Sequence, residues 1–301
     1  MDIRTLQYFL TIAREGSITA ATERLHMTQP PLSRQMKELE EELGRQLFLR
    51  GSRRITLTEE GRILEKRAEE IITLLEKTKA EIGTIEDDIQ EDLYIGCGES
   101  AGFSLIAKTI EALRQRYPGI RVHLCSGDFS DVSEQLDKGL LDFGFFIGEA
   151  DLSRYDYIKL PTTDVWGLLM RKDSALAEKA EIRPADLAGL PLICSRQALM
   201  KNELAGWFGC PAENLNIAAT YNLIFNGAVL AENHVGYALT LKHLVDTSWE
   251  GKLCFRPLEP VLSANHYIAW RKYQVFSGAA EKFVAVLQQK ISETLKKREE
   301  K

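Results

Sequence analysis

The sequence has no apolar run of the length that a membrane span requires, which is about 18 residues or more. Its N-terminal segment, MDIRTLQYFLTIARE, carries charges at both ends of an amphipathic helical pattern, and this is not typical of a signal peptide. Apart from the charged tail KKREEK, the chain contains no low-complexity segment and no internal repeat. We therefore predict a globular protein without a membrane partner.

Cysteine is scarce, and its spacing is uninformative. None of the five cysteines belongs to a CxxC pair: Cys97, Cys125, Cys194, Cys210 and Cys254. An odd number without this spacing argues against a disulfide framework or a zinc site and fits a reducing cytoplasm. The five histidines also lack the spacing of metal ligands. We predict neither a metal site nor a cofactor.

Basic residues are not in excess, since the net charge is −6. Residues 1–57 nevertheless contain nine Lys or Arg and seven Asp or Glu, whereas residues 58–90 contain five and ten. The acidity therefore lies away from the N-terminal segment. The modest positive charge of that segment is compatible with binding a polyanion such as DNA.

Residues 20–50 predict a helix-turn-helix. Ala20, Ala21 and Leu25 recur at helical spacing, and a short break then ends this helix. Thr28 suits the N-cap of the next helix, because the two prolines that follow it fit a first helical turn. The inward face of the second helix is formed by Leu32, Met36, Leu39 and Leu43.

The opposite face of this helix carries residue types that read base edges or contact phosphates. The following stretch, RGSRRITLT, predicts an antiparallel wing whose arginines lie on flanking phosphates. The predicted DNA-contacting residues are Thr28, Gln29, Pro30, Pro31, Ser33, Arg34, Lys37, Arg50, Arg53 and Arg54. The alternative is an ordinary amphipathic hairpin with a solvated polar face.

This segment resembles the N-terminal signature of the LysR-type transcriptional regulators. The matching residues are Ala20, Ala21, Leu25, Thr28, Gln29, Pro30, Pro31, Leu32, Ser33, Leu39, Glu40, Leu43, Gly44, Leu47, Phe48, Arg50, Leu57, Thr58 and Gly61. The resemblance implies an α/β protein with an N-terminal winged helix-turn-helix (1–57) and a long linker or dimerisation helix (58–90). A two-lobed, periplasmic-binding-protein-like effector-binding domain (91–301) would follow, with lobe one at 91–161 and 266–301 and lobe two at 162–265.

The resemblance also implies what the protein does. It implies a homodimer or homotetramer that binds double-stranded operator DNA, is switched by a small-molecule effector and is not an enzyme. RNA polymerase is a further candidate partner.

Residues 58–88 carry an apolar seam in which spacings of four and three alternate. Charged residues surround this seam, so the helix needs an apolar partner, and a second copy of itself is the simplest one. The predicted dimerisation residues are Leu64, Ile71, Leu75 and Ile82. Packing on the same chain is the alternative.

From Leu93 onward the pattern alternates between strands and helices. Ligands of parallel sheets bind at the carboxyl ends of the strands and at helix N-termini. The predicted effector-binding residues are Ser100, Ala101, Gly127, Asp128, Phe129, Ser130, Ile147, Ser195, Arg196 and Asn222. Ser100 is the strongest candidate, with helix capping as its alternative, and a free Asp128 would favour an amine over a carboxylate.

Two other functions stay open at this point. The segment Gly96–Ala101 follows a predicted strand and resembles a dinucleotide-binding GxGxxA loop, with Asp128 as the ribose-binding acid of an NAD enzyme. Cys97 and Cys125 end neighbouring predicted strands, so a cysteine-based redox-sensing regulator of the same fold is the second alternative.

Overall fold

The computed structural model describes residues 1–50, 54–83, 91–148, 150–200, 203–248 and 251–299, without the side chains of residues 50, 80–83 and 299. It divides into two compact units, Met1–Gly83 and Thr84–Lys301. None of the described helices combines the length and the apolar composition that a membrane crossing requires.

The first unit begins with three helices whose ends are set by capping residues. They are α1 (Ile3–Glu15), α2 (Ile18–Leu25) and α3 (Gln29–Leu43). Asp2 caps α1 by accepting the Thr5 N–H at 2.7 Å. Gly44 ends α3 with a φ of 64°, a left-handed conformation that glycine adopts without steric cost.

A small wing and a long helix complete the first unit. The elements are β1 (Phe48–Arg50), β2 (Ile55–Leu57) and α4 (Glu59–Gly83), and the two strands pair antiparallel. Thr58 caps α4, because its Oγ1 accepts the Gly61 N–H at 2.9 Å. The core of this unit joins α1, α3 and α4 through buried residues such as Phe9, Leu32 and Ala68.

Within the described residues, the second unit contains one sheet of nine strands. The strands are β3 (Asp92–Cys97), β4 (Arg121–Ser126), β5 (Phe143–Ile147), β6 (Tyr155–Arg171), β7 (Leu192–Ser195), β8 (Ile217–Tyr221), β9 (Tyr237–Leu241), β10 (Leu253–Pro257) and β11 (Ser263–Arg271). Their order is β4-β3-β5-β11-β6-β9-β7-β8, and β10 pairs with β6. The helices are α5 (Ser104–Arg116), α6 (Phe129–Asp137), α7 (Arg196–Met200), α8 (Glu203–Phe208), α9 (Ile224–Glu232) and α10 (Gly278–Glu299).

Two sets of parallel strands define two lobes. In lobe one β3 pairs with β4 and β5, and in lobe two β7 pairs with β8 and β9. The antiparallel strands β6 and β11 pair with each other and connect the lobes. Only the second half of β6 contains a continuous apolar pattern, VWGLLM at residues 165–170, because polar residues and Pro161 interrupt its first half.

Candidate functional site

The N-terminal half of α3 has one buried face and one exposed face. Leu32, Met36 and Leu39 are at most 4% exposed and pack in the core of the first unit. Leu43 was predicted to join them but is 40% exposed, because it lies in the last turn of α3, beyond the part of the helix that packs on the core. The remaining face is available to a partner.

Most of the predicted DNA-contacting residues of this region lie on that exposed face. Ser33 is partly buried, and the exposed residues are Thr28, Gln29, Pro30, Pro31, Arg34 and Lys37. Thr28 occupies the N-cap position as predicted, but its side chain makes no capping hydrogen bond. The start of α3 therefore combines proline rings and polar side chains at one surface.

The two cations of this face are paired with acids one turn further along α3. Arg34 Nε donates to Glu38 Oε1 at 2.8 Å, and Lys37 Nζ lies 3.4 Å from Glu41 Oε1. The Arg34 and Lys37 side chains are 81% and 75% exposed. Such exposed pairs contribute only about 0.3–0.5 kcal/mol each, so both cations can leave their acids for a nucleic acid at small cost.

The wing is described only in part. Arg54 is exposed just before β2. Arg50 belongs to β1, but its side chain lies outside the described part of the structure, as does all of Arg53.

The apolar stripe of α4 divides into a buried part and an exposed part. Ala68 is fully buried, and Leu64 packs against the core of its own unit, which was the alternative raised for this helix. Ile71 is 38% exposed and Leu75 is half-buried. Ile63 and Leu74, which were not predicted, add 60% and 44% exposed side chains. The side chain of Ile82 is not described.

A small cavity of about 60 Å³ lies in the cleft where the carboxyl ends of strands from both lobes meet. Its lining consists of Gly98, Glu99, Gly127, Asp128, Ile147, Trp166, Ser195, Gln197, Ala198, Glu203, Tyr221, Asn222, Ile224, Thr240, Leu241 and Leu244. Gly127, Asp128, Ile147, Ser195 and Asn222 were predicted from the sequence.

Six polar residues of the lining were not predicted individually: Glu99, Gln197 and Tyr221, which lie within two positions of predicted residues, and Trp166, Glu203 and Thr240. Thr240 could have been found, because it lies near the carboxyl end of β9 and the rule on strand ends applies to it. Trp166 lies within the long connecting strand β6, and Glu203 begins the short helix α8. No local pattern marked these two positions.

Hydrogen bonds between described residues connect the lobes beside this cavity. Arg196 Nη2 donates to Asp128 Oδ2 at 2.7 Å, and the Ile224 N–H donates to Glu99 Oε2 at 2.7 Å. Gln197 accepts the Phe129 N–H at 3.0 Å and donates to the carbonyl oxygen of Ile147 at 3.2 Å.

Asp128 is held in its charged form by these contacts. Burial raises the pKa of its carboxyl, but hydrogen bonds from Arg196 and from the backbone N–H groups of Asp131 and Ser130 lower the pKa below its ordinary value. Asp128 is therefore not the free carboxylate that the sequence suggested. It is the ion-pair partner of Arg196 and the N-cap of α6.

The hydroxyl of Ser100 contacts other protein groups. Ser100 Oγ donates to Asp164 Oδ2 at 2.6 Å, lies 3.1 Å from His266 Nε2 and accepts the Gly102 N–H at 2.8 Å. Among the predicted effector-binding residues, five do not line the cavity: Ser100, Ala101, Phe129, Ser130 and Arg196. The capping alternative for Ser100 describes its contacts better.

Ser100, His266 and Asp164 are the residue types of a hydrolase triad, but their arrangement is different. Both Ser100 Oγ and Asp164 Oδ2 approach the same nitrogen, His266 Nε2, at 3.1 and 3.4 Å. His266 Nδ1 instead contacts Thr162 Oγ1 at 2.8 Å. A triad needs the carboxylate on the nitrogen opposite the nucleophile, so this buried cluster connects β6 and β11 to lobe one without activating Ser100.

The contacts also bear on the two alternative functions. Gly96–Ala101 leads into a helical turn that continues directly as α5, but Asp128 already accepts hydrogen bonds from Arg196 and the α6 backbone, so Asp128 is not free to bind a ribose. In the β3–β4 register Gly96, not Cys97, pairs with Cys125, which places the two cysteines on opposite faces of the sheet. Burial raises the pKa of Cys97, and it raises that of Cys194 to about 12, so these thiols are poor nucleophiles.

No group of three or more acidic, histidine or cysteine side chains among the described residues is arranged to hold a metal ion. The polar groups of the cleft instead suit a small organic molecule.

Three relatives illustrate what this chain is similar to. HcaR, the Hca operon transcriptional activator of Escherichia coli (strain K12), is 28% identical over 97% of this chain and 99% of that protein. BsdA, an HTH-type transcriptional regulator of Bacillus subtilis (strain 168), is 38% identical, and the matched region spans 47% of this chain and 49% of BsdA. Full-length CbnR in complex with its target DNA has the same fold, with a TM-score of 0.72 and 19% identity over 96% of this chain and 100% of CbnR.

Two sequence profiles match consecutive parts of the chain. Residues 3–62 match the bacterial regulatory helix-turn-helix proteins of the lysR family, and residues 86–292 match the LysR substrate binding domain. The chain therefore belongs to the LysR family of transcriptional regulators, with an N-terminal DNA-binding helix-turn-helix and a two-lobed effector-binding domain.

Proposed function

We propose that this chain binds operator DNA through the exposed N-terminal face of α3 and the wing, and that a small effector in the cleft modulates this binding. The observation that carries the proposal is the joint exposure of Gln29, Pro30 and Arg34 at the start of a helix whose other face is fixed in a core. We take residues 1–57, 58–90 and 91–301 as the DNA-binding, linker and effector-binding segments.

Each residue of this face has a role that follows from its chemistry. Arg34 and Gln29 can form bidentate hydrogen bonds to base edges, and Pro30 and Pro31 can contact thymine methyl groups. Thr28, Ser33 and Lys37 suit phosphates. The wing residues Arg50, Arg53 and Arg54 would contact flanking phosphates in the same way.

We further propose that the protein acts as a homodimer or homotetramer in the cytoplasm. Ile71, Leu75 and Ile82 would form the contact between two α4 helices, together with the exposed side chains of Ile63 and Leu74. Two-fold symmetry would present two α3 helices to a pseudo-palindromic site. RNA polymerase remains a candidate partner on the family resemblance alone.

In this proposal the protein is a binding switch and not an enzyme. The contacts of Ser100 with Asp164 and His266 support this, because they use the hydroxyl for structure. An effector can shift DNA binding only by the difference between its affinities for the two lobe arrangements.

The proposal is tested by recovering genomic DNA fragments bound to the full chain and sequencing them. We expect a two-half-site sequence whose affinity falls steeply with salt, because phosphate contacts release counterions. Equal binding to all fragments, without sequence preference, would contradict the proposal.

A further inference from the structure

Two cation–acid pairs lie on the exposed face of α3. Arg34 pairs with Glu38 and Lys37 pairs with Glu41, in each case with the acid four residues further along the helix. All four side chains are more than half exposed. Two acids therefore lie beside the cations that the proposed function assigns to DNA. A negative charge at this surface repels the phosphates of any duplex.

The Arg34 pair is a directed hydrogen bond. Arg34 Nε donates to Glu38 Oε1 at 2.8 Å, which is the usual length of a bond between a guanidinium and a carboxylate. The bond uses Nε, the nitrogen nearest to the main chain, so Nη1 and Nη2 lie at the exposed end of the side chain. Because the guanidinium is planar and rigid, a bond at Nε also restricts the orientation of these two nitrogens.

The two terminal nitrogens of Arg34 are the donors that a guanine requires. Arginine recognises guanine through two hydrogen bonds, to O6 and N7 of the base. A guanidinium that is already held in one orientation loses less conformational freedom when it forms them. Arg34 can therefore contact a base while it keeps its bond with Glu38. Since this exposed pair is weak, the acid biases the orientation of Arg34 and does not block it.

The second pair provides charge without direction. Lys37 Nζ lies 3.4 Å from Glu41 Oε1, which is longer than an ordinary hydrogen bond. An ammonium group is a point charge on a flexible stem, and its three donors rotate freely. Glu41 therefore cannot orient Lys37 for a base. This difference makes Glu41 a matched control for Glu38 on the same helix.

From this geometry we infer that Glu38 is a specificity-determining residue of operator recognition. It positions the guanidinium of Arg34 for guanine, and its charge weakens the attraction between this face and the phosphates of every duplex. Glu38 acts through Arg34, so it is a positioning residue. This inference rests on the proposed function, because it assigns a further residue to the same DNA-binding face.

The test is a binding titration of full-length variants with the recovered operator and with a scrambled duplex. Glu38→Ala should bind the scrambled duplex up to about fivefold more tightly per subunit at about 0.15 M salt, because losing one acid resembles neutralising one more phosphate. The ratio of operator affinity to scrambled-duplex affinity should fall about two- to fivefold per subunit, which is the range of an exposed ion pair. An unchanged ratio would overturn the inference.

Two further variants separate charge from orientation. Glu38→Asp keeps the charge on a side chain that is one methylene shorter, so it should bind the scrambled duplex like wild type but lose part of the sequence preference. Glu41→Ala removes an acid from the same face and should strengthen binding to both duplexes equally, which leaves the preference unchanged. Equal losses of preference in Glu38→Ala and Glu41→Ala would show that only net charge matters, and would overturn the inference.

A double-mutant cycle tests whether Glu38 acts through Arg34. In the Arg34→Ala background, Glu38→Ala should leave the sequence preference unchanged, because the side chain that Glu38 positions is gone. A further loss of preference in that background would mean that Glu38 contacts a base itself. The same conclusion would follow if Glu38→Ala lost more than about tenfold in operator affinity with no change on the scrambled duplex. Either result would overturn the inference.

The wild-type protein in the same titration separates this inference from the proposed function. A wild-type protein without sequence preference would overturn the proposed function. A preference that falls in Arg34→Ala and not in Glu38→Ala would overturn only the role of Glu38.

Discussion

Arg196 of lobe two donates a hydrogen bond to Asp128 of lobe one, with 2.7 Å between Nη2 and Oδ2. The Asp128 side chain is 5% exposed, whereas that of Arg196 is 53% exposed. Each residue was predicted to bind the effector, but in the structure each is the partner of the other. The pair therefore links the two lobes beside the cavity. Asp128 lines the cavity, whereas Arg196 does not.

Removing the arginine should destabilise the second unit. We expect Arg196→Ala to lower the free energy of unfolding, because it leaves the buried Asp128 carboxylate without its charged donor, and the exposure of Arg196 keeps this loss small. Chemical unfolding at neutral pH measures the loss. Arg183→Ala, which breaks the exposed pair with Glu181, is the control and should lower the free energy of unfolding by less than Arg196→Ala does. Equal losses in the two variants would contradict the account.

The contribution of this pair should depend on pH in a defined direction. The pKa of Asp128 is lowered in the folded protein, so its stabilising effect is present above the ordinary aspartate pKa of 3.8 and is lost as the pH falls through the lower folded pKa. The difference in unfolding free energy between wild type and Arg196→Ala should therefore be constant near neutral pH and shrink below about pH 4. A difference that grows on acidification would contradict this assignment.

Thr240 and Thr109 offer a matched pair of buried threonines. Thr109 Oγ1 donates to the Leu105 carbonyl oxygen at 2.9 Å, whereas Thr240 Oγ1 makes no hydrogen bond of good geometry with the described residues. Thr240→Val should raise the unfolding free energy of the unliganded protein by about 1–3 kcal/mol, because it removes an unpaired buried hydroxyl. Thr109→Val should lower it by about 1 kcal/mol. A loss of stability in Thr240→Val would mean that its hydroxyl is already paired.

Two glycines should respond in opposite ways to alanine. A Cβ at Gly102 would lie 2.1 Å from His266 Cε1, and that ring is fully buried and contacts Thr162 and Ser100. Gly102→Ala should therefore cost about 1–3 kcal/mol of overpacking. Gly206 lies within α8 with nothing within 4 Å of such a Cβ, so Gly206→Ala should be neutral or gain up to about 1 kcal/mol. Thermal unfolding of both variants tests this difference.

The buried face of α3 could be predicted from the sequence because it depends on local spacing. Leu32, Met36 and Leu39 repeat with the helical period, and all three are buried. The same rule failed at Leu43, where the helix continues past its core contact. For α4, the spacing correctly marked an apolar stripe but could not say that Leu64 packs on its own chain, because that depends on where α1 lies.

The cleft could be predicted only at the level of strand ends. The rule that ligands bind at strand ends correctly predicted Asp128, Ser195 and Asn222 as lining residues, because the position of a strand end depends on the sheet topology alone. The side-chain partners depend on tertiary contacts: Ser100 contacts His266 across 166 positions of sequence. Trp166 and Glu203 were missed for the same reason, because they meet only when the chain is folded.

The proposed contact between two α4 helices can be tested by introducing charged residues into it. Replacing Ile71 and Leu75 together with lysine should separate the oligomer, because like charges would face each other across the proposed helix pair. Sedimentation of the double variant should show monomers, whereas Glu76→Lys, at a 57% exposed position of the same helix, should sediment like wild type. An intact oligomer in the double variant would mean that the subunits associate through a surface other than α4.

The central claim, that the exposed face of α3 reads operator DNA, is tested most directly at Arg34. Binding of Arg34→Ala to the recovered operator and to a scrambled duplex is measured against wild type and against Arg114→Ala, an exposed helix arginine of the second unit. We predict that Arg34→Ala loses about 1–3 kcal/mol per half-site on the operator and little on the scrambled duplex, so that its sequence preference falls. Arg114→Ala should match wild type on both. An Arg34→Ala variant that keeps wild-type affinity and preference would contradict the account.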